Sequence, residues 1–187
     1  SAILKRYGLT IDDSAGLPLA DTPPAVFLRL LARMAIGRAA PVPLLSLLKH
    51  PLTGLGMRTA ELRDMTRQLE LLALRGVRFA DGLGELREYI QDKEEVAALL
   101  DRLQTCCGPF MALLQQKEVP LSALLDAHLH CAQKLAATQE EEGRARLWYG
   151  EQGDVLAQAL AEITEAATDF PPIDPASYPG LLDTLLR

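Results

Sequence analysis

The spacing of apolar residues predicts helices along almost the whole chain. From about residue 22 onward, leucine, alanine and methionine recur every three or four positions, which is the period of an amphipathic helix. The predicted helical segments are 22–36, 43–50, 58–75, 85–116, 120–137, 156–167 and 177–187, with a break or kink at Gly108-Pro109. A short β-like patch predicts one strand at residues 9–12. The predicted fold class is therefore all-α, with one short strand near the N-terminus.

Local signals mark several helix ends. Thr22 stands before two prolines, a favoured helix start in which the threonine hydroxyl acts as the cap. Pro51 ends the segment 43–50, and the two glycines of Gly54-Leu55-Gly56 predict a tight surface turn before the next helix. Gly76 is the predicted end of that helix, and residues 79–84 are predicted to form a loop. The inward face of segment 58–75 is predicted to contain Leu62, Met65, Leu69 and Leu72.

Composition agrees with a helical, non-membrane protein. Hydrophobic residues make up 49% of the 187 residues but aromatic residues only 5%, and leucine and alanine favour helices over strands. No apolar run approaches the roughly 18 residues that span a bilayer, and no signal-peptide pattern opens the chain. The expected location is therefore the cytoplasm, with no membrane partner.

The cysteines and histidines do not predict a metal site. Cys106 and Cys107 are neighbours and Cys131 is alone, so no disulfide framework is visible. Adjacent helical residues point about 100° apart and rarely ligate one metal together. His128, His130 and Cys131 also lack the i, i+4 spacing of a helical metal site. The three cysteines are interpreted as buried thiols that pack between helices, and no metal or other cofactor is expected.

No catalytic motif is present. The chain contains no Gly-x-x-x-x-Gly-Lys-Ser/Thr phosphate loop, no Gly-x-Ser-x-Gly elbow and no His-Glu-x-x-His pair. The pair Asp12 and Asp13 is interpreted as the edge of a turn, and residues 140–142, all glutamate, as a solvated linker. We therefore expect neither ATP hydrolysis nor DNA cleavage, and the chain is predicted not to be an enzyme by itself.

One stretch favours contact with a polyanion. Residues 27–78 contain nine basic and three acidic residues, in a chain whose formal net charge is −6. Within that stretch, the glycine turn opens a helix, and free backbone N–H groups at such a helix start can bind phosphate. A tight connection on a solvated helix surface is the alternative interpretation. The predicted DNA-binding residues are Lys49, Gly54, Leu55, Gly56, Arg58, Thr59 and Arg63.

Two sequence runs carry a resemblance to known proteins. The order of a strand, a helix and then Pro51-Leu52-Thr53-Gly54-Leu55-Gly56 resembles the entry into the helical 2B subdomain of UvrD-like superfamily 1 helicases, although Leu55 replaces their isoleucine. More closely, the run Asp12-Asp13-Ser14-Ala15-Gly16-Leu17-Pro18-Leu19 and the run Leu47-Leu48-Lys49-His50-Pro51-Leu52 resemble the α-proteobacterial AddB subunit of the AddAB helicase-nuclease. Trp148-Tyr149-Gly150-Glu151-Gln152-Gly153 is a supporting run.

That resemblance implies a role in DNA double-strand break repair. AddB-like subunits combine a helicase-like region without ATPase motifs with a C-terminal nuclease, and they pair with an AddA-like motor subunit. The chain, which has no initiator Met, would then be a middle segment of a larger protein. This segment would not include the nuclease. The implied division is 1–38 as the edge of a motor domain, 39–138 as a 2B-like subdomain, and 139–187 as a helical extension. A docking scaffold that binds only protein is the competing hypothesis.

Overall fold

The computed structural model describes residues 18–74, 82–90 and 92–187. Within them the chain is mostly helical, and the only β pairings are two isolated bridges, Met57 with Thr138 and Val119 with Ile173. The all-α prediction is confirmed, while the strand predicted at 9–12 lies outside the described residues. The helices are α1 (Pro23–Ile36), α2 (Pro41–Leu48), α3 (Thr59–Leu69), α4 (Leu83–Tyr89), α5 (Glu94–Leu113), α6 (Leu121–Ala136), α7 (Gly143–Leu147), α8 (Gly150–Ala166) and α9 (Tyr178–Leu185).

Helix α6 lies at the centre of the molecule. It packs against α1, α5, α7 and α8, while α1 also contacts α2 and α9. Tyr178, Phe27 and Phe110 are the largest side chains of the core, which is contiguous and receives buried apolar residues from each described helix. The described residues of the predicted segments 1–38, 39–138 and 139–187 therefore share one core. The assignment of these segments to parts of a larger protein stays a prediction. No described helix combines the length and apolar character that a membrane span requires.

The predicted break at Gly108-Pro109 is wrong. Helix α5 runs from Glu94 to Leu113 with Pro109 inside it, and the interruption instead falls between α4 and α5. Proline removes one backbone hydrogen bond, but the residues around it hold the helix on the core, since Cys107 and Phe110 are fully buried. Tertiary packing therefore overrides the local helix-breaking signal.

The third predicted helix changes type before its predicted end. Helix α3 ends at Leu69, and a single π-helical turn, Glu70–Leu74, follows it. Leu62 and Leu69 face the core as predicted and Met65 is half-buried, but Leu72 is 39% exposed. The wider π turn rotates the following residues away from the helical face, which explains the error at Leu72. The predicted helix end at Gly76 lies outside the described residues.

Two further local predictions need comment. Helix α1 does begin after Thr22, but the threonine hydroxyl donates to the carbonyl of Leu19 at 2.7 Å instead of capping the helix. The short turn Leu19–Asp21 in front of α1 brings that carbonyl within reach. Of the predicted loop 79–84, residues 79–81 lie outside the described residues, and Leu83 is already helical.

Candidate functional site

The predicted DNA-binding residues lie on the connection between α2 and α3 and on the first turns of α3. The structure brings three of them, Lys49, Thr59 and Arg63, to one groove. Gly54 and Leu55 are buried, and Leu55 is only 6% exposed. Arg58 is exposed and lies 4.0 Å from the carboxylate of Glu61, and Gly56, two residues earlier, is also exposed. The predicted site is therefore divided between a buried turn and an open groove.

The glycine turn, residues 54–56, does not offer free N–H groups. The amides of Gly54 and Leu55 both donate to the carbonyl of Leu135 at 2.9 Å, and the amide of Gly56 donates to Ala137 at 2.7 Å. These acceptors stand at the C-terminus of α6, where the last carbonyls of a helix lack intrahelical partners. These three amides are therefore not free to bind phosphate, and contact between the predicted residues and DNA stays a prediction. The turn instead satisfies the end of the central helix.

The close approach of the turn to α6 explains why it contains glycine. A Cβ atom at Gly54 would lie 2.1 Å from the carbonyl oxygen of Ala137, which is far inside van der Waals contact. Gly56 has φ of +67°, and Leu55 between the two glycines has φ of 51°. A positive φ is strained for leucine, and the buried side chain of Leu55 helps to hold this conformation. Gly54 is thus needed for close packing, and Gly56 for its positive φ.

Two arginines that the sequence analysis missed complete this junction. The guanidinium of Arg146 donates to the carbonyls of Leu52 at 3.2 Å and Pro51 at 3.0 Å, and also to that of Ala136. Arg102 donates to the carbonyl of Leu55 at 3.3 Å. A cation at a helix C-terminus is favourable because the helix dipole is negative there. No local pattern identifies these arginines, because most of the carbonyls that accept from them are distant in sequence. Two acceptors of Arg146 lie 94 and 95 residues away, and the acceptor of Arg102 lies 47 residues away.

The open part of the predicted site is a groove of about 540 Å³ between the end of α2 and one face of α3. We call it the basic groove. Its polar lining residues are Lys49, His50, Thr53, Thr59, Arg63, Thr66, Arg67 and Glu70. Arg63 and Arg67 are one helical turn apart, so their side chains follow the same side of α3. The Thr66 hydroxyl is buried and has no hydrogen-bond partner among the described residues.

The positive charge of the basic groove comes mainly from two arginines. Lys49 forms an ion pair of 2.7 Å with Glu70, which offsets its charge. Burial lowers the pKa of His50, so this imidazole is neutral at pH 7. In residues 18–74, 82–90 and 92–187, Arg63 and Arg67 have no ion-pair partner. These two guanidinium groups are therefore available to an anion.

A second group of polar side chains lies inside the core. His128 Nε2 is 3.1 Å from the Leu28 carbonyl, and His128 Nδ1 is 2.8 Å from the Tyr178 hydroxyl. A carbonyl can only accept, so Nε2 carries the proton and Nδ1 accepts from Tyr178. Phe110 stacks on the imidazole with a centroid distance of 4.8 Å. Burial lowers the pKa of His128 to about 3 and raises that of Tyr178, which is consistent with a structural role.

The three cysteines meet at the interface of α5 and α6. All are free thiols, and the Sγ atoms of Cys106, Cys107 and Cys131 lie within 4.8 Å of one another. Hydrogen bonds from its two neighbours lower the pKa of Cys106 to about 4, and the same bonds together with burial raise the pKa of Cys107 and Cys131. The expectation of buried thiols is confirmed for Cys107 and Cys131, whereas Cys106 is only partly buried. The spacing of the three residues did not predict that their sulfur atoms converge.

Comparisons of the chain with family models, curated proteins and solved structures returned no match. The resemblance to AddB-like subunits and to a 2B subdomain therefore stays a prediction. What the described residues establish is a helical fold with a basic groove on one side and a buried thiol cluster.

Proposed function

We propose that this chain is a non-catalytic helical segment of an AddB-like helicase-nuclease subunit and that it contacts the DNA backbone through the basic groove. The observation that carries the proposal is the pair Arg63 and Arg67, which have no carboxylate partner in the described part of the chain and line an open groove. The sequence resemblance supports the repair context. It also implies an AddA-like subunit as the protein partner and DNA as a weak, non-specific ligand.

The chemistry of the groove favours phosphate over bases. Guanidinium groups donate two parallel hydrogen bonds to a phosphate. Such contacts fix the position of a protein on DNA without reading its sequence. The carboxylate of Glu70 at the same groove limits the affinity, because it keeps Lys49 paired. We therefore expect weak binding, with dissociation constants of about 10⁻⁴ to 10⁻⁶ M.

A DNA titration over a range of salt concentrations tests this proposal. Binding of a fluorescently labelled duplex would be followed by anisotropy for the wild type and for a variant with Arg63→Ala and Arg67→Ala. Each lost phosphate contact reduces the slope of log K against log salt by about 0.9, so the double variant should lose about 2 units of slope. The matched control is Lys117→Ala with Arg144→Ala, which makes the same change in net charge at exposed positions outside the groove. Equal losses in both variants would refute a groove-specific contact.

The alternative is a docking scaffold for the AddA-like subunit. It is favoured by exposed apolar side chains at the end of α3, where Leu71 is 54% and Leu72 39% exposed. Docking through such residues buries apolar surface and depends little on salt. In that case the wild type would not bind DNA even at low salt, and Leu71→Ser with Leu72→Ser would weaken assembly with the motor subunit.

A further inference from the structure

The three thiols form the most concentrated set of metal-ligating atoms in the described residues. Cys106 and Cys107 come from the middle of α5, and Cys131 comes from α6, the helix against which α5 packs. Adjacent residues of one helix diverge by about 100°, yet both sulfur atoms lie within 4.8 Å of the same partner on α6. The packing of α5 against α6, which the sequence does not reveal, thus brings Cys131 close to both Cys106 and Cys107 and forms one cluster.

The dimensions of the cluster suit one metal ion. Thiolate sulfur bonds zinc at about 2.3 Å, and three sulfurs at that distance around one ion in a plane are separated by about 4.0 Å. The sulfurs therefore need to approach one another by less than about 1 Å, given that metal–sulfur distance. A disulfide would join only two of the three sulfurs, at about 2.05 Å. The convergence of all three suits a shared ion.

The ligand set selects the kind of ion. No carboxylate or imidazole belongs to this group of converging atoms in the described part of the chain. Hard ions such as magnesium and calcium require oxygen ligands, whereas thiolates select monovalent copper and zinc. Structural zinc sites are almost always four-coordinate, so three sulfurs without a fourth ligand suit monovalent copper better.

The surroundings suit a thiolate complex. Cys107 is fully buried and Cys131 is 2% exposed, so water is largely excluded from two of the ligands. Cys106 is only partly buried and provides the approach from solvent. Lys134, on the exposed side of α6, acts electrostatically on the Cys106 sulfur. Its positive charge offsets part of the negative charge that three thiolates bring to one ion.

We propose that Cys106, Cys107 and Cys131 form a binding site for a thiophilic metal ion held by three sulfur atoms, with monovalent copper as its ion. The site lies between α5 and α6 and shares no residue with the basic groove. It is therefore independent of the proposed DNA contact, and either proposal can fail without the other.

The test is a titration of the reduced full chain with monovalent copper in the absence of oxygen, against a chelator of known affinity. We expect one ion per chain, a sulfur-to-copper charge-transfer band in the ultraviolet, and three sulfur neighbours by X-ray absorption. Cys131→Ala should lower the affinity by at least about 100-fold, the upper end of what loss of an outer-shell partner costs. Met111→Leu is the matched control, because it removes another partly buried sulfur of α5 and leaves the thiols intact.

A second variant and a second metal keep the result decisive. If Cys131→Ala does not fold, Cys106→Ala changes the most accessible of the three ligands and should give the same loss of affinity. Zinc, titrated in parallel, should bind more weakly than copper. The proposal is overturned if the wild type binds no stoichiometric copper, if either cysteine variant binds as tightly as the wild type, if zinc binds more tightly, or if the thiols form a disulfide in place of the complex.

Discussion

Acid should destabilise this protein through one buried histidine. His128 is held neutral between the Leu28 carbonyl, which fixes the proton on Nε2, and the Tyr178 hydroxyl, which donates to Nδ1. Protonation of Nδ1 would remove the acceptor of the Tyr178 hydroxyl and place a positive charge in an apolar core. The folded state therefore resists a proton that the unfolded chain accepts at its ordinary pKa of about 6.5.

The size of the effect follows from these two pKa values. Burial lowers the pKa of His128 to about 3 in the folded state, so above pH 6.5 both states are neutral and the full stability is present. Between pH 6.5 and 3 only the unfolded state gains the proton, and stability falls as the pH falls. At pH 5 the loss is about 2 kcal/mol, from about 1.4 kcal/mol for each pH unit below 6.5. This loss at pH 5 is set mainly by the unfolded-state pKa, because the folded-state pKa of His128 lies well below pH 5.

Urea unfolding followed by circular dichroism at pH 7.5, 6.5 and 5.0 measures this loss. In His128→Gln, the side-chain amide can still donate to Leu28 and accept from Tyr178 but does not titrate, so its stability should depend much less on pH. His50→Gln is the control for a half-buried histidine, and it should retain most of the wild-type loss because His128 is intact. The reasoning is refuted if wild-type stability is the same at pH 7.5 and 5.0, or if His128→Gln loses as much as the wild type.

The junction between the glycine turn and α6 gives two further predictions, both measured as the free energy of unfolding in urea. Gly54→Ala should cost about 3 kcal/mol, because its Cβ meets a backbone oxygen of Ala137. The control Gly180→Ala has open space at the Cβ and should change stability by less than about 1 kcal/mol. Equal effects of the two substitutions would contradict the packing argument. Arg146→Lys should cost about 2 kcal/mol, since a lysine cannot reach three carbonyls with one planar group. Arg144→Lys at an exposed position is the control, and a loss there of the same size would contradict it.

The helices were predictable because their signals are local. The apolar spacing of residues 120–137 predicts α6 within one residue at each end, and the buried face of this helix includes His128. Errors occur where distant contacts decide the outcome. Pro109 remains inside α5 because the flanking side chains are buried against other helices, and Leu72 is turned outward by a π turn that has no sequence signature.

The candidate site was predictable only in its charges. Arg63 was among the predicted residues and Arg67 was not, although their i, i+4 spacing on one helix places both on one side. The role of the glycine turn was not predictable, because its N–H groups find acceptors on α6, about 80 residues later in the sequence. A glycine turn before a helix therefore has free N–H groups only if no carbonyl from another part of the fold accepts hydrogen bonds from them. The same limit applies to the thiols, which converge through helix packing.

The hydrogen bonds of the glycine turn separate two roles that the sequence suggested for one stretch: packing by the turn and DNA contact by the basic residues. The glycine turn and Arg146 fix the start of α3 to the end of α6, and α3 in turn carries Arg63 and Arg67 at the basic groove. A change in the turn should therefore weaken DNA binding only as far as it unfolds the protein. A change of the two groove arginines should weaken binding while stability is kept, because both are exposed or partly exposed and have no ion-pair partner in the described residues. If Gly54→Ala reduced DNA binding in a sample shown to be fully folded, the turn itself would have to contact DNA, and the division of roles derived from the hydrogen bonds would be wrong.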